Sequence, residues 1–136
     1  MIKIIEGKQC LQYESWLSNP LVKSFMCKKV TKVVKDEKET FVSSSEKTMV
    51  LTTSFLFVID IARCSEKGYA IIESRYNYSS IESVRAGESA RERSFLAGKE
   101  YIYMVISSNQ NGQKKKLLYY VLMRDTCLAE LQRRIQ

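Results

Sequence analysis

The side chains of this chain that can do chemistry are of two kinds, thiols and cations. Cys10, Cys27, Cys64 and Cys127 are the only cysteines, and there is no histidine. The cysteines are widely spaced and form no Cys-x-x-Cys pair, so a zinc site would need four distant segments to converge. The expectation is four reduced, partly buried thiols and no bound metal. Without histidine the chain lacks the commonest general base and the usual triad member. It also lacks a Gly-x-Gly-x-x-Gly, a phosphate-cradling Gly-x-x-x-x-Gly-Lys-[Ser/Thr] and a Gly-x-Ser-x-Gly. No enzyme and no cofactor are expected.

The cations carry more information. Lysine and arginine number 22 against 15 acidic residues, a net charge of +7 in 136 residues. That balance favours an anionic partner: phospholipid, nucleic acid or an acidic protein surface. The sharpest cluster is Lys114-Lys115-Lys116. A second run is spread over Lys23, Lys28, Lys29, Lys32 and Lys35, followed by Lys38, and Arg63 and Lys67 stand apart. Asp36, Glu37 and Glu39 oppose the lysines around them, so each run taken alone also fits a solvated loop.

These cations need elements to carry them. The chain centres on Lys47-Thr-Met-Val-Leu-Thr-Thr-Ser-Phe-Leu-Phe-Val-Ile-Asp60, two apolar runs of strand length joined by small hydroxyl residues. This spells a buried β-hairpin. Upstream, Cys10, Tyr13, Trp16 and Leu17 recur at helical spacing, and Pro20 disfavours helix at Asn19. A short N-terminal helix over residues 1–18 is expected, anchored by Trp16.

A lysine-studded strand follows from Val22 to Val34. Phe41-Val42 opens the next, and Ser43-Ser44-Ser45 interrupts it as a bulge or a loop. Residues 69–76 and 79–85 read as strands, and residues 87–99 as a mobile loop or a short helix. Residues 101–106 and 117–122 are strong strands with an Asn111-Gly112 turn signal between them. Cys127, Leu128, Leu131 and Ile135 share one face of a closing helix. The tally is about seven strands and one C-terminal helix, mainly β, in a small barrel or sandwich. Tyr101, Tyr103, Tyr119 and Tyr120 either pack within it or offer a stacking platform for single-stranded nucleic acid, the less favoured partner.

The chain resembles the pleckstrin-homology-like superfamily, most of all the tail-homology region of class I myosins. The resemblance covers roughly residues 19–136. It rests on the hairpin of residues 47–60, the strand Tyr78-Ser-Ser-Ile-Glu-Ser-Val-Arg85, and the final strand plus helix from Leu117 to Leu131. A basic first strand after Asn19-Pro20 completes the pattern. It implies a seven-stranded barrel or sandwich capped by the C-terminal helix, with residues 1–18 as an extension. It further implies that three inter-strand loops gather at one open end, bringing together Lys35, Lys38, Arg63, Lys67, Lys114, Lys115 and Lys116, with Lys32 leaning in. The chain departs from the family's phosphoinositide binders in that strand two opens Glu39-Thr40-Phe41-Val42, without their basic pair.

The expected function is a non-enzymatic module that docks on anionic, phosphoinositide-containing membrane surfaces through these basic loops. A protein–protein adaptor in a cytoskeletal or trafficking assembly is the alternative. No apolar run approaches the roughly 20 residues of a spanning helix, and the charged N-terminus is no signal peptide. A cytoplasmic protein, peripheral to membrane or cytoskeleton, is the expectation.

Overall fold

The computed structural model describes residues 2–86, 101–107 and 114–135. The mobile loop or helix expected at residues 87–99 and the Asn111-Gly112 turn lie outside the described residues. The fold is mainly β, an open antiparallel sheet with one C-terminal helix. In chain order the strands are β1 (Ile2–Ile5), β2 (Lys8–Gln12), β3 (Lys23–Lys35), β4 (Lys38–Ser43) and β5 (Lys47–Leu51). Then come β6 (Phe55–Asp60), β7 (Tyr69–Asn77), β8 (Ile81–Ala86), β9 (Tyr101–Ser107) and β10 (Lys114–Val121), and the helix α1 (Arg124–Ile135). The lateral order is β1-β2-β7-β6-β5-β3-β10-β9-β8, with β4 also on β3.

The N-terminal helix expected over residues 1–18 is absent. Residues 2–12 form the β1–β2 hairpin, and only Glu14–Trp16 make a 3₁₀ turn. Glu6 and Gly7 decide this. Ile5 pairs with Lys8, and both turn residues have positive φ, 53° and 76°. That is the geometry of a two-residue hairpin turn whose twist matches the flanking strands. β2 then pairs with β7, Cys10 opposite Ile71 and Leu11 opposite Ala70, burying both side chains. Trp16 does act as an anchor, its ring 5.5 Å from that of Phe57.

The strand count is ten among the described residues rather than about seven. β1 and β2 are additions, and the serine run splits one lane into β4 and β5. Ser44 marks the break: its N–H donates to the Lys29 carbonyl, and its hydroxyl accepts the Lys29 N–H at 3.0 Å.

The hairpin of residues 47–60 forms as its sequence implies. Thr52 Oγ1 accepts the Phe55 N–H at 2.9 Å and donates to the Phe55 carbonyl, closing the turn. Tyr78 donates its hydroxyl proton to the Thr52 and Phe55 carbonyls, tying that turn to the start of β8.

One hydrophobic cluster joins the two halves of the sheet, so the sheet must curl. It holds Phe25, Met49, Leu51, Leu56 and Val58 from one half and Ile102, Met104, Leu117, Tyr119 and Val121 from the other. Cys127 and Leu131 of α1 are fully buried in it, with Leu128 and Ile135 packed alongside. The helix thus covers apolar surface that an open sheet would leave wet. A second cluster lies on the other face, where Leu11, Val50, Phe57, Ile59 and Ala70 are covered by Tyr13, Trp16 and Val22.

Candidate functional site

β3, β6 and β9 run in one direction, because each is antiparallel to a shared neighbour. The turn after β3 and the loop after β6 therefore leave the sheet at the same end, the end toward which β9 also runs. They do not leave it at the same height. Cys27 pairs with Lys47, which stands beside Asp60, whereas β3 runs on to Lys35. At about 3.3 Å per residue, Lys35 lies roughly 25 Å farther along the strand than Asp60.

The eight sequence-predicted residues accordingly separate into groups. Lys35 and Lys38 face each other across the β3–β4 turn, whose Asp36 and Glu37 both have positive φ. Arg63 and Lys67 sit in the exposed loop after β6. Lys114, Lys115 and Lys116 open β10 and are exposed; Lys114 pairs with Glu82 at 3.2 Å. The backbone of Lys32 lies in β3 opposite Phe41, and its side chain is outside the described residues.

β3 and β10 are hydrogen-bonded neighbours, with Val30 opposite Leu118 and Lys28 opposite Tyr120. The pairing ends at Val30 and Leu118, so Lys28 and Lys29 lie within it, while Lys32 and Lys35 of β3 and the lysine triplet of β10 both lie beyond it toward the same end. Side chains alternate along a strand, so Lys28, Lys114 and Lys116 fall on the same face as Val30, Leu118, Tyr103 and Tyr120. Val30 and Leu118 are buried there against the two tyrosines, and Arg85 stacks 4.4 Å over the Tyr103 ring. Of the tyrosines weighed as a stacking platform, Tyr119 points the other way, into the main core. Burial pushes its hydroxyl pKa up, with Tyr76 adding to the shift. Lys28 belongs to the lysine run and Arg85 to the strand motif read from the sequence, but neither is among the eight predicted site residues; their place on this face follows from the β3–β10 and β8–β9 registers.

Arg63 belongs to a different arrangement. Asp60, 2 % exposed, is the buried carboxylate. Lys47 Nζ donates to its Oδ2 at 2.7 Å, and the Arg63 backbone N–H donates to its Oδ1 at 3.2 Å. Arg63 Nε is 3.3 Å from the same carboxylate. Glu73 closes the group, 3.4 Å from Lys47 and 3.5 Å from Arg63. A bulge makes this possible. Val58 pairs with Ser74 and Ile59 with Ile72, so Glu73 is the extra residue and is aimed out of register. Burial raises the Asp60 pKa, but the Lys47 hydrogen bond and the Arg63 N–H outweigh it and hold the carboxyl below its usual range. Burial likewise opposes charge on Lys47, and the Asp60 bond and Glu73 charge overcome it, raising its pKa. Two cations and two carboxylates thus satisfy one another at the mouth of the core.

Two further features surround these sites. A cavity of about 320 Å³ lies between Tyr13, Trp16, Leu17 and Val22 on one side and Val50, Ile59 and Ile61 on the other. The β3–β4 ribbon beyond Val30 has no second strand partner among the described residues, and Val33, Val34 and Val42 on it are exposed. Among the described residues no cluster of metal-ligating side chains occurs, and no helix is long and apolar enough to cross a membrane. No family model matches the sequence, and no curated protein matches it.

Proposed function

We propose that the chain is a non-enzymatic, pleckstrin-homology-like binding module that docks on anionic phospholipid surfaces through lysines of β3, β4 and β10. The observation that carries this reading is the β3–β10 register, in which Lys32 and Lys35 of β3 and Lys114, Lys115 and Lys116 of β10 all lie beyond the same last pair, Val30 opposite Leu118, toward one end of the sheet. The pleckstrin-like part of the reading is supported by the lanes. Counting β4 and β5 as one interrupted lane, β3 to β10 make the expected seven, and a helix from the chain's end lies over the curled sheet.

The docking is electrostatic. Each lysine or arginine near an anionic membrane contributes about 1 kcal/mol, falling off within a Debye length. Lys32, Lys35, Lys38, Lys114, Lys115 and Lys116 are enough for reversible attachment without a pocket. Lys67 adds a more distant charge. Arg63 is ion-paired with Asp60 and Glu73 and contributes little. Because that group fills the mouth of the core with balanced charge, binding follows surface charge density rather than one inositol phosphate.

Co-sedimentation with vesicles of graded phosphatidylserine content, with and without a phosphoinositide, tests this. Bound protein should rise with total negative charge and fall between low and near-physiological salt. Absence of binding to strongly anionic vesicles at low salt contradicts it, as does a requirement for one headgroup.

The unpartnered β3–β4 ribbon, with its exposed valines, favours an adaptor as the second reading. An extended peptide would add as a strand along the open edge. In that case lysine reversals on β10 would leave partner binding intact and a proline in the ribbon would abolish it.

A further inference from the structure

Cys10 and Cys64 are far apart in sequence and in contact in space: the Cys64 thiol points at Cys10 Sγ, 3.8 Å away. Cys10 lies on β2 and is almost fully buried, while Cys64, in the loop after β6, is half-buried. The seam between these segments is otherwise polar and exposed. Ser65 donates to Glu6 at 2.6 Å, Lys3 pairs with Glu66 at 2.8 Å, and the Tyr13 N–H donates to the Gly68 carbonyl. The other two thiols differ. Cys27 and Cys127 are sealed in the main core, and burial pushes each up to about 12.

We propose that Cys10 and Cys64 form a reversible disulfide site, oxidised by small-molecule disulfides through thiol–disulfide exchange. Cys64, the solvent-reached thiol, attacks the disulfide RS–SR as its thiolate; a Cys64–SR bond forms, the S–S bond breaks, and one RS⁻ leaves. Cys10 then attacks Cys64 Sγ, forming the Cys10–Cys64 bond and expelling the second RS⁻. Both thiol protons end on the leaving thiolates, so two cysteine thiols and RSSR give one protein disulfide and two RSH. A disulfide needs its sulfurs about 2.05 Å apart, and movement of the Cys64 loop supplies the approach. Burial, followed by the Cys64 contact, raises the Cys10 pKa, which disfavours Cys10 as the first nucleophile and leaves that step to Cys64. The bond would fasten the β1–β2 hairpin to the loop that carries Arg63 and Lys67.

The folded full chain is incubated with oxidised glutathione, quenched in acid, and examined by thiol titration, intact mass and a non-reducing digest. Two of the four thiols should disappear with no glutathione retained and a mass lower by about 2 Da. The digest should contain a peptide joining Cys10 to Cys64. Cys10→Ser should instead stop at one glutathione on Cys64, and Cys64→Ser should keep its three thiols. Amide exchange in β1 and β2 should slow on oxidation and recover with dithiothreitol. A glutathione adduct persisting on the wild-type chain overturns the proposal. So does a link to Cys27 or Cys127, or four intact thiols.

Discussion

Two groups of cations on this molecule use their charge in opposite ways. Around Asp60, Lys47 and Arg63 meet two carboxylates at 2.7–3.5 Å; the group is neutral, with Asp60 and Lys47 desolvated and Arg63 and Glu73 at its solvent rim. On β10, Lys114, Lys115 and Lys116 stand exposed beyond the last β3–β10 pair, with Glu82 the one acidic partner found for the triplet among the described residues. The first group cannot offer its charge to a partner without breaking its own bonds. In the second, Lys115 and Lys116 can do so freely, and Lys114 by releasing an exposed partner, Glu82. A basic residue near the expected open end is therefore a binding candidate only if the fold has not already tied it to a buried anion.

The largest effect should come from breaking the closed group. Asp60→Ala strands Lys47 without its buried partner and removes the acceptor of the Arg63 N–H. Loss of one member of a buried pair costs about 3–5 kcal/mol, measurable by urea unfolding. Triple substitution of Lys114, Lys115 and Lys116 by Glu should do the reverse. Stability should change by no more than about 0.5 kcal/mol, as for most surface substitutions. Vesicle affinity should fall at least about a hundredfold, the equivalent of three lysines at about 1 kcal/mol each. If the triple variant unfolds, or if Asp60→Ala leaves stability untouched, the division between the two groups fails.

The pH dependence sharpens the same comparison. The folded pKa of Asp60 lies below its unfolded value of about 3.9, so its stabilisation is present above that value. It is lost as the pH falls through the folded pKa. The folded pKa of Lys47 lies above its unfolded value, about 10.4, so its stabilisation is present below that value and is lost as the pH rises through the folded one. Urea unfolding at pH 7 and pH 3 should show a clear loss in the wild type and a smaller one in Asp60→Asn. Equal losses would remove the carboxylate from the account.

The smallest effect concerns the ribbon tip. Asp36 and Glu37 both hold positive φ, 52° and 63°, where a β-carbon is unfavourable. Glycine at the second turn position relieves this, so Glu37→Gly should stabilise the chain by about 0.5–1 kcal/mol. A drop in thermal midpoint would show that the Glu37 side chain contributes more than its backbone strain costs.

The sequence announced what depends on local chemistry. The β5–β6 hairpin was legible because Thr52 closes its own turn, and α1 because Cys127, Leu128, Leu131 and Ile135 mark one helical face. The N-terminal segment misleads because the stripe Cys10, Tyr13, Trp16 and Leu17 fits a helix, while Glu6-Gly7 is a turn signal without the usual Asn-Gly or Asp-Gly pair. The closed ion group was not legible at all. It needs the β5–β6 and β6–β7 registers and a bulge that turns Glu73 toward Lys47, none of which has a local signature. The lysine lanes were half legible. The triplet was plain in the chain, but its place at the same end as the later β3 lysines is set by a pairing between β3 and β10, strands far apart in sequence.

The most direct test places the two groups side by side in one binding experiment. Arg63→Gln and the Lys114, Lys115, Lys116 to Glu variant are co-sedimented with phosphatidylserine-rich vesicles at low salt, against the wild type. Docking through the open lysines predicts near-wild-type binding for Arg63→Gln and loss of binding for the triple variant. Loss in Arg63→Gln with retention in the triple variant would contradict it and move the contact to the mouth of the core.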